Sequence, residues 1–175
     1  MIEEVMLVDH DDQRIGVMEK MEAHLKGALH RAFSIFVFNS SGKLLLQQRA
    51  LEKYHSGGLW TNSCCGHPRP GEDVLDAGKR RLMEETGLTC ELEELFTFVY
   101  RHEFPNGLTE YEYDHVLIGF SDEAPRPDPA EIADHCYQDP EKLSVALKEQ
   151  PELYTAWLQI CYDRVLETFK QKQGA

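Results

Sequence analysis

One stretch limits the possible folds more than any other: GHPRPGEDVLDAGKRRLMEETGL, from Gly66 to Leu88. It opens with the Gly and Pro residues of a loop. From Glu72 to Thr86 the pattern becomes helical: Leu75, Gly78 and Leu82 share one face, and Gly87 is a natural C-terminal stop. Arg80 and Glu84 lie four residues apart, as do Arg81 and Glu85. Taken alone, such pairs describe a solvated, ion-paired helix face. The order of elements says more. A Gly-rich loop, a Glu and a helix closing on adjacent carboxylates form a more particular combination than a solvated helix face requires.

The flanking segments read mainly as strands. Ala32–Phe38 (AFSIFVF) and Leu44–Arg49 (LLLQQR) are joined by the turn chemistry of NSSGK. Leu95–Arg101 and Leu108–Phe120 are separated by the turn signal Pro105-Asn106-Gly107. Near the C-terminus, Leu153, Ala156, Trp157, Ile160, Cys161, Val165 and Phe169 recur at helical spacing. Strands, a central helix, more strands and terminal helices imply an α/β or α+β sandwich with its sheet order open. The 175 residues suit one domain, spanning 1–175.

The net charge of −13 argues against a binder of the nucleic-acid backbone, which would present a basic face. An anionic substrate would need metal ions and a few placed Arg or Lys residues to offset repulsion. No apolar run approaches membrane-span length, and the acidic start MIEEVMLVDHDDQ lacks the features of a secretory signal. The expectation is a cytoplasmic protein that does not insert into membranes. Its five cysteines are then thiols. Adjacent Cys64 and Cys65 are poorly placed to bridge each other, and no CxxC pair supports a zinc ribbon.

The Gly66–Leu88 stretch resembles the Nudix box. Gly66, Glu72, Arg80, Leu82, Glu84, Glu85, Gly87 and Leu88 match at the required spacing. One position departs: where Nudix hydrolases carry a Glu directly after the Arg, this chain has Arg81. A cation there argues against hydrolysis and offers a guanidinium suited to bidentate phosphate binding. The resemblance implies a Nudix-type α/β/α sandwich with a mixed central sheet. A nucleoside-diphosphate hydrolase and a silent binding module remain as alternatives on this feature alone.

Three further segments narrow the resemblance: Glu19–Ser34, Arg49–Pro68 and Leu108–Val116 are similar to type 1 isopentenyl-diphosphate isomerases. That family interconverts isopentenyl and dimethylallyl diphosphate, and the likeness runs from about Ile2 to at least Trp157. It implies His24, His30, His67, Glu110 and Glu112 as ligands of a divalent ion, Mn²⁺, Mg²⁺ or Zn²⁺. Three imidazoles and two carboxylates leave room for one more ligand. It implies Cys65 on one side of the substrate, with Glu112 and Tyr100 on the other, as proton donor and acceptor. It also implies Trp157 as a π face for a cationic intermediate, worth about 2 kcal/mol when desolvated. Arg49, Lys53 and Arg81 would hold the diphosphate, with a Mg²⁺ bridging it to Glu85. Glu72 and Glu84 rank below Glu85 and would support the helix or the ion. Cys64 reads as a core thiol. His10, His55, His102, His115 and His135 receive no functional role. The expected partner is the small-molecule diphosphate, acted on by a monomer or weak dimer.

Overall fold

A computed structural model describes residues 1–174. Strands β1 (Glu4–Val8) and β2 (Arg14–Glu19) form an N-terminal hairpin that runs into a short helix, α1 (Lys20–Lys26). Next come β3 (His30–Phe38), β4 (Leu44–Arg49) and two short strands, β5 (Trp60–Thr61) and β6 (Cys64–Gly66). Helix α2 (Val74–Thr86) precedes the long hairpin β7 (Leu92–Glu103) and β8 (Thr109–Phe120). The chain closes with β9 (Ile132–Gln138), α3 (Pro140–Glu149), a 3₁₀ turn (Pro151–Leu153) and α4 (Ala156–Gly174).

All nine strands belong to one mixed sheet. Central β3 pairs in parallel with β8 along its whole length, and antiparallel with β1, β4 and β6. Side-chain alternation sorts the core into two layers. Phe33, Ile35, Val37, Leu45 and Leu117 pack beneath Ala77 and Leu82 of α2. Phe36, Phe38, Leu44, Leu46, Val116 and Ile118 pack beneath Leu143 of α3 and Leu158, Val165 and Phe169 of α4. This is the expected α/β/α sandwich with a mixed central sheet.

Helix α2 starts two residues later than the sequence pattern suggests. Asp73 caps it, accepting hydrogen bonds from the backbone N–H groups of Leu75 (2.9 Å) and Asp76 (3.4 Å). Gly87 ends it in the left-handed region, at φ 70°. Gly78 allows a close approach to the sheet: a Cβ there would lie 2.9 Å from Leu117 Cδ1. The terminal helix is shorter than its apolar spacing implied. Leu153 falls in the 3₁₀ turn, and both Leu153 and Ile160 are exposed.

Candidate functional site

The β3–β8 register sets His30 beside Glu112, and the β7–β8 register sets Tyr100 on the other side of Glu112. One row across three strands thus reads His30, Glu112, Tyr100. Glu110 sits two residues along on the same face of β8. His24 arrives from α1, and His67 follows β6 directly. One lone-pair atom from each of His24, His30, His67 and Glu112 lies within 4.8 Å of the others. His67 Nε2 is 3.1 Å from Glu112 Oε1, and His30 Nε2 is 3.5 Å from the same oxygen.

This group fits a divalent ion on its own chemistry. Donors on opposite sides of an ion held at ~2.1 Å lie about 4.2 Å apart. His24 Nδ1 donates to the Lys20 carbonyl at 2.7 Å, and His30 Nδ1 donates to the Ala28 carbonyl at 2.8 Å. Those bonds leave Nε2 of each ring aimed at the site, and both Nε2 atoms are buried with no hydrogen-bond partner. The carboxylates also call for a cation. Tyr100 Oη lies 2.7 Å from Glu112 and 3.0 Å from Glu110. Burial and the Glu112 charge push Glu110 well above the usual carboxylate range. Burial acts on Glu112 in the same direction, but His30 and His67 outweigh it and hold Glu112 well below that range. Two buried carboxylates this close resist joint ionisation unless a positive ion joins them. Burial also lowers His24 and His67 to about 4, which keeps these imidazoles neutral and able to ligate.

The same face of the sheet opens on a cavity of about 410 Å³, lined by Cys65, Tyr100, Glu110, Glu112 and Trp157 among others. Cys65 Sγ donates to Asn62 Oδ1 (3.3 Å), which also accepts from Trp157 Nε1 (3.1 Å). Ser34 Oγ is 3.7 Å from the thiol and donates to Asp114 at 2.7 Å. Burial and the neighbouring Asp114 push the Cys65 thiol far up, so it carries its proton at neutral pH. Cys64 points into the core, fully buried and packed with the α2 layer. Trp157 is almost wholly buried, and the Arg49 guanidinium lies over its ring at 5.3 Å.

Arg49, Lys53 and Arg81 also line the cavity, as does Glu85. Arg49 Nε is buried without a partner, which suits an arriving anion. Arg81 is ion-paired to Glu85, Glu84 and Glu131, and Lys53 is ion-paired to Glu131. Glu85 also accepts from Gln47 Nε2 at 3.1 Å. A Mg²⁺ takes one or two protein carboxylates plus substrate phosphates, and buried Glu85 is a donor of that type. Glu72 is engaged elsewhere. It grips Arg80 in a two-pronged ion pair (2.7 and 2.8 Å) and caps the Arg69 N–H, pinning the loop to α2.

Sequence reasoning missed several residues that line the cavity or bond to those that do. Lys20 shares a helix face with His24, four residues on, and that spacing was a usable signal. Its Nζ is 3.0 Å from Glu3 and lies over the Tyr54 ring at 4.6 Å. Asn62 and Ser34 stood inside the quoted similar segments without a role. Asp114, two residues beyond Glu112 on the same face of β8, was signalled by parity, whereas Glu131 gave no local signal. His55, assigned no role, is buried against Glu110. His10, His102, His115 and His135 lie outside the cavity lining.

A mixed sheet between helical layers, with the Gly66–Leu88 loop and helix bordering a carboxylate-lined cavity, defines a NUDIX-domain protein. The family model for the NUDIX domain matches residues 28–158. A solved structure from Deinococcus radiodurans superposes with a TM-score of 0.78 at 23% identity, covering 93% of this chain and 98% of that one. A MutT protein from Methanosarcina mazei Go1 superposes at 0.65 with 17% identity, covering 82% and 95%. Both likenesses concern the fold. Curated relatives are far closer in sequence. The isopentenyl-diphosphate Delta-isomerase of Pectobacterium atrosepticum is 49% identical over 98% of this chain and 97% of its own length. Isopentenyl-diphosphate Delta-isomerase 2 of Aromatoleum aromaticum is 52% identical over 95% and 88%. Within the NUDIX proteins, this chain belongs to the isopentenyl-diphosphate Delta-isomerases. Among the described residues, no helix is long and apolar enough to cross a membrane.

Proposed function

We propose that the chain interconverts isopentenyl and dimethylallyl diphosphate by adding one proton and removing another, with Cys65 and the Glu112–Tyr100 pair as the two proton-handling groups. The observation that carries this reading is one cavity lined by both the Cys65 thiol and the Glu112 carboxylate, the latter bonded to the Tyr100 hydroxyl. The substrate's double bond is unactivated. A proton delivered to its terminal carbon leaves a tertiary carbocation. Loss of a proton from the methylene on the diphosphate side then sets the new double bond. One proton enters and one leaves, so the atoms balance, and reversal uses each group in both roles.

Arg49, Lys53 and Arg81 would bind the diphosphate, with Glu85 supplying a carboxylate to a Mg²⁺ on it. His24, His30, His67, Glu110 and Glu112 would hold the second divalent ion, Mn²⁺, Mg²⁺ or Zn²⁺. When bound, that ion would hold both carboxylates ionised and alter the proton affinity of Glu112 and the hydroxyl linked to it. Asn62 orients the thiol and the indole together by accepting from both. Buried Trp157 and the aromatic walls keep water away from a cation that water would capture. Five free thiols and a small soluble substrate support cytoplasmic action. Arg81, standing where the hydrolase pattern has a carboxylate, argues against diphosphate cleavage.

The test is turnover of isopentenyl diphosphate in heavy water with Mg²⁺ and Mn²⁺, followed by NMR. The expected product is dimethylallyl diphosphate carrying deuterium in a methyl group. An intact substrate, or product without deuterium, would overturn the reading.

A further inference from the structure

We propose that His55 is a sixth protein ligand of the buried divalent ion, so that four imidazoles and two carboxylates enclose it. The inference rests on the metal reading above and extends it to a residue outside that set of five.

His55 lies in the loop between β4 and β5 and is 95% buried, at 5% exposure. Its Nδ1 faces Ser56 Oγ at 3.2 Å. Its Nε2 is buried, makes no hydrogen bond, and lies 2.9 Å from Glu110 Oε1. So short a distance without hydrogen-bond alignment is how two donors look when both face a common point. Nε2 of His24 and of His30 are likewise buried and unpartnered, with Nδ1 anchored to oxygen. His55 repeats their pattern.

Its donor atom joins those of His24 and Glu110, all within 4.8 Å of one another. This second group shares His24 with the group of His30, His67 and Glu112. That sharing argues for one ion rather than two. His24 Nδ1 is committed to the Lys20 carbonyl, so the ring has a single free lone pair, on Nε2. One lone pair serves one ion, and both groups must converge on it. Six donors then complete the octahedral shell that five leave open.

The loop is built to hold this ring in place. His55 stacks on Phe104, with centroids 4.4 Å apart, and Arg49 Nη2 donates to its carbonyl at 3.2 Å. Asn106 donates to the preceding carbonyl of Tyr54 at 3.0 Å. Two residues on, Gly57 passes so close to Leu51 that a Cβ would meet its carbonyl oxygen at 2.3 Å.

The experiment loads full-length protein with Co²⁺ alone, without substrate. It measures stoichiometry and affinity by calorimetry, and counts the exchangeable, hyperfine-shifted imidazole N–H resonances by proton NMR. His55→Phe keeps the stack on Phe104 but removes the donor, and circular dichroism verifies its fold. The wild type should bind one ion per chain. The variant should also bind one, at an affinity lower by about tenfold or more, and should show one fewer shifted N–H resonance. An unchanged resonance count would overturn the assignment, whatever the affinity, as would two ions per wild-type chain. A wild type that binds no Co²⁺ would instead overturn the five-ligand reading and this extension together.

Discussion

The two ends of one sheet face differ in almost everything except backbone geometry. On β3 the same side carries His30 and Ser34 at one end and Phe36 and Phe38 at the other. On β8 it carries Glu110, Glu112 and Asp114, then Val116 and Ile118. Pleat and parity are continuous, so nothing in the strand itself marks the change. The difference lies in what covers the face. Helix α4 seals the apolar end with Leu158, Val165 and Phe169, and its first turn delivers Trp157 to the border. Beyond that border the covering side chains are histidines, and the face becomes a cavity. Apolar burial at one end supplies stability. At the other, desolvated carboxylates cost stability and retain reactivity.

The sharpest way to break this contrast is to cut once at each end. Cys65→Ala should lower turnover by about 10²–10⁴, the usual worth of a positioned proton donor, while urea unfolding stays nearly unchanged. Phe38 stacks on Phe169 at a centroid distance of 3.9 Å. It lies eight residues from His30, roughly 26 Å along an extended strand. Phe38→Ala should cost about 3–5 kcal/mol of stability, with kcat per folded molecule close to wild type. Near-normal turnover in the first variant, or a kcat collapse in the second, would show that the two ends are not separable.

A smaller effect sharpens the cost at the polar end. In metal-free protein Glu110 is held above the usual carboxylate range by burial and by Glu112. It therefore keeps a proton that the unfolded chain releases, and it contributes a loss of stability as pH rises past the ordinary carboxyl range. Glu110→Gln should stabilise the metal-free protein by about 1–4 kcal/mol at neutral pH, with little gain at pH 4. The same change should weaken divalent-ion binding. Urea titrations in chelator at both pH values test the sign, and equal effects at the two would remove the electrostatic explanation.

The smallest expected effect lies at Glu131, where charges are half-solvated. Glu131 engages both Lys53 and Arg81, the cations proposed to receive the diphosphate. Such exchangeable pairs contribute under about 1 kcal/mol. Glu131→Gln should lower KM by a factor of about five at most, with kcat and stability unchanged, in steady-state assays. A raised KM would mean that Glu131 positions these cations rather than competing for them.

Local patterns carried a definite share of this molecule. Short apolar runs bounded by turn residues gave β3, β4, β7 and β8, because a strand that crosses the core is written locally in residue type. The α2 helix was legible with its Gly stop, and the spacing of Glu110 and Glu112 put both on one face. Short elements were not legible. Helix α1 has seven residues and shows little apolar periodicity, yet it delivers His24. Strands β5 and β6 are two and three residues long and are defined by their partners rather than by propensity. Leu153 and Ile160 fitted a helical spacing but remained exposed: Leu153 falls in the 3₁₀ turn before α4, and Ile160 lies on the uncovered face of α4.

By itself, the sequence determined the chemistry available: a thiol, an ExE pair, a loop and helix ending in carboxylates, and one cation, Arg81, where the hydrolase pattern has a further acid. Those features are local, fixed by residue type and by spacings shorter than a helix. Only the tertiary structure decided which of them meet. The parallel register of β3 on β8 joins His30 to Glu112 across 82 positions of chain, and a pinched loop turns His55 onto Glu110. Such contacts depend on strand order and loop closure, which the whole sheet settles together, so no local stretch of residues encodes them.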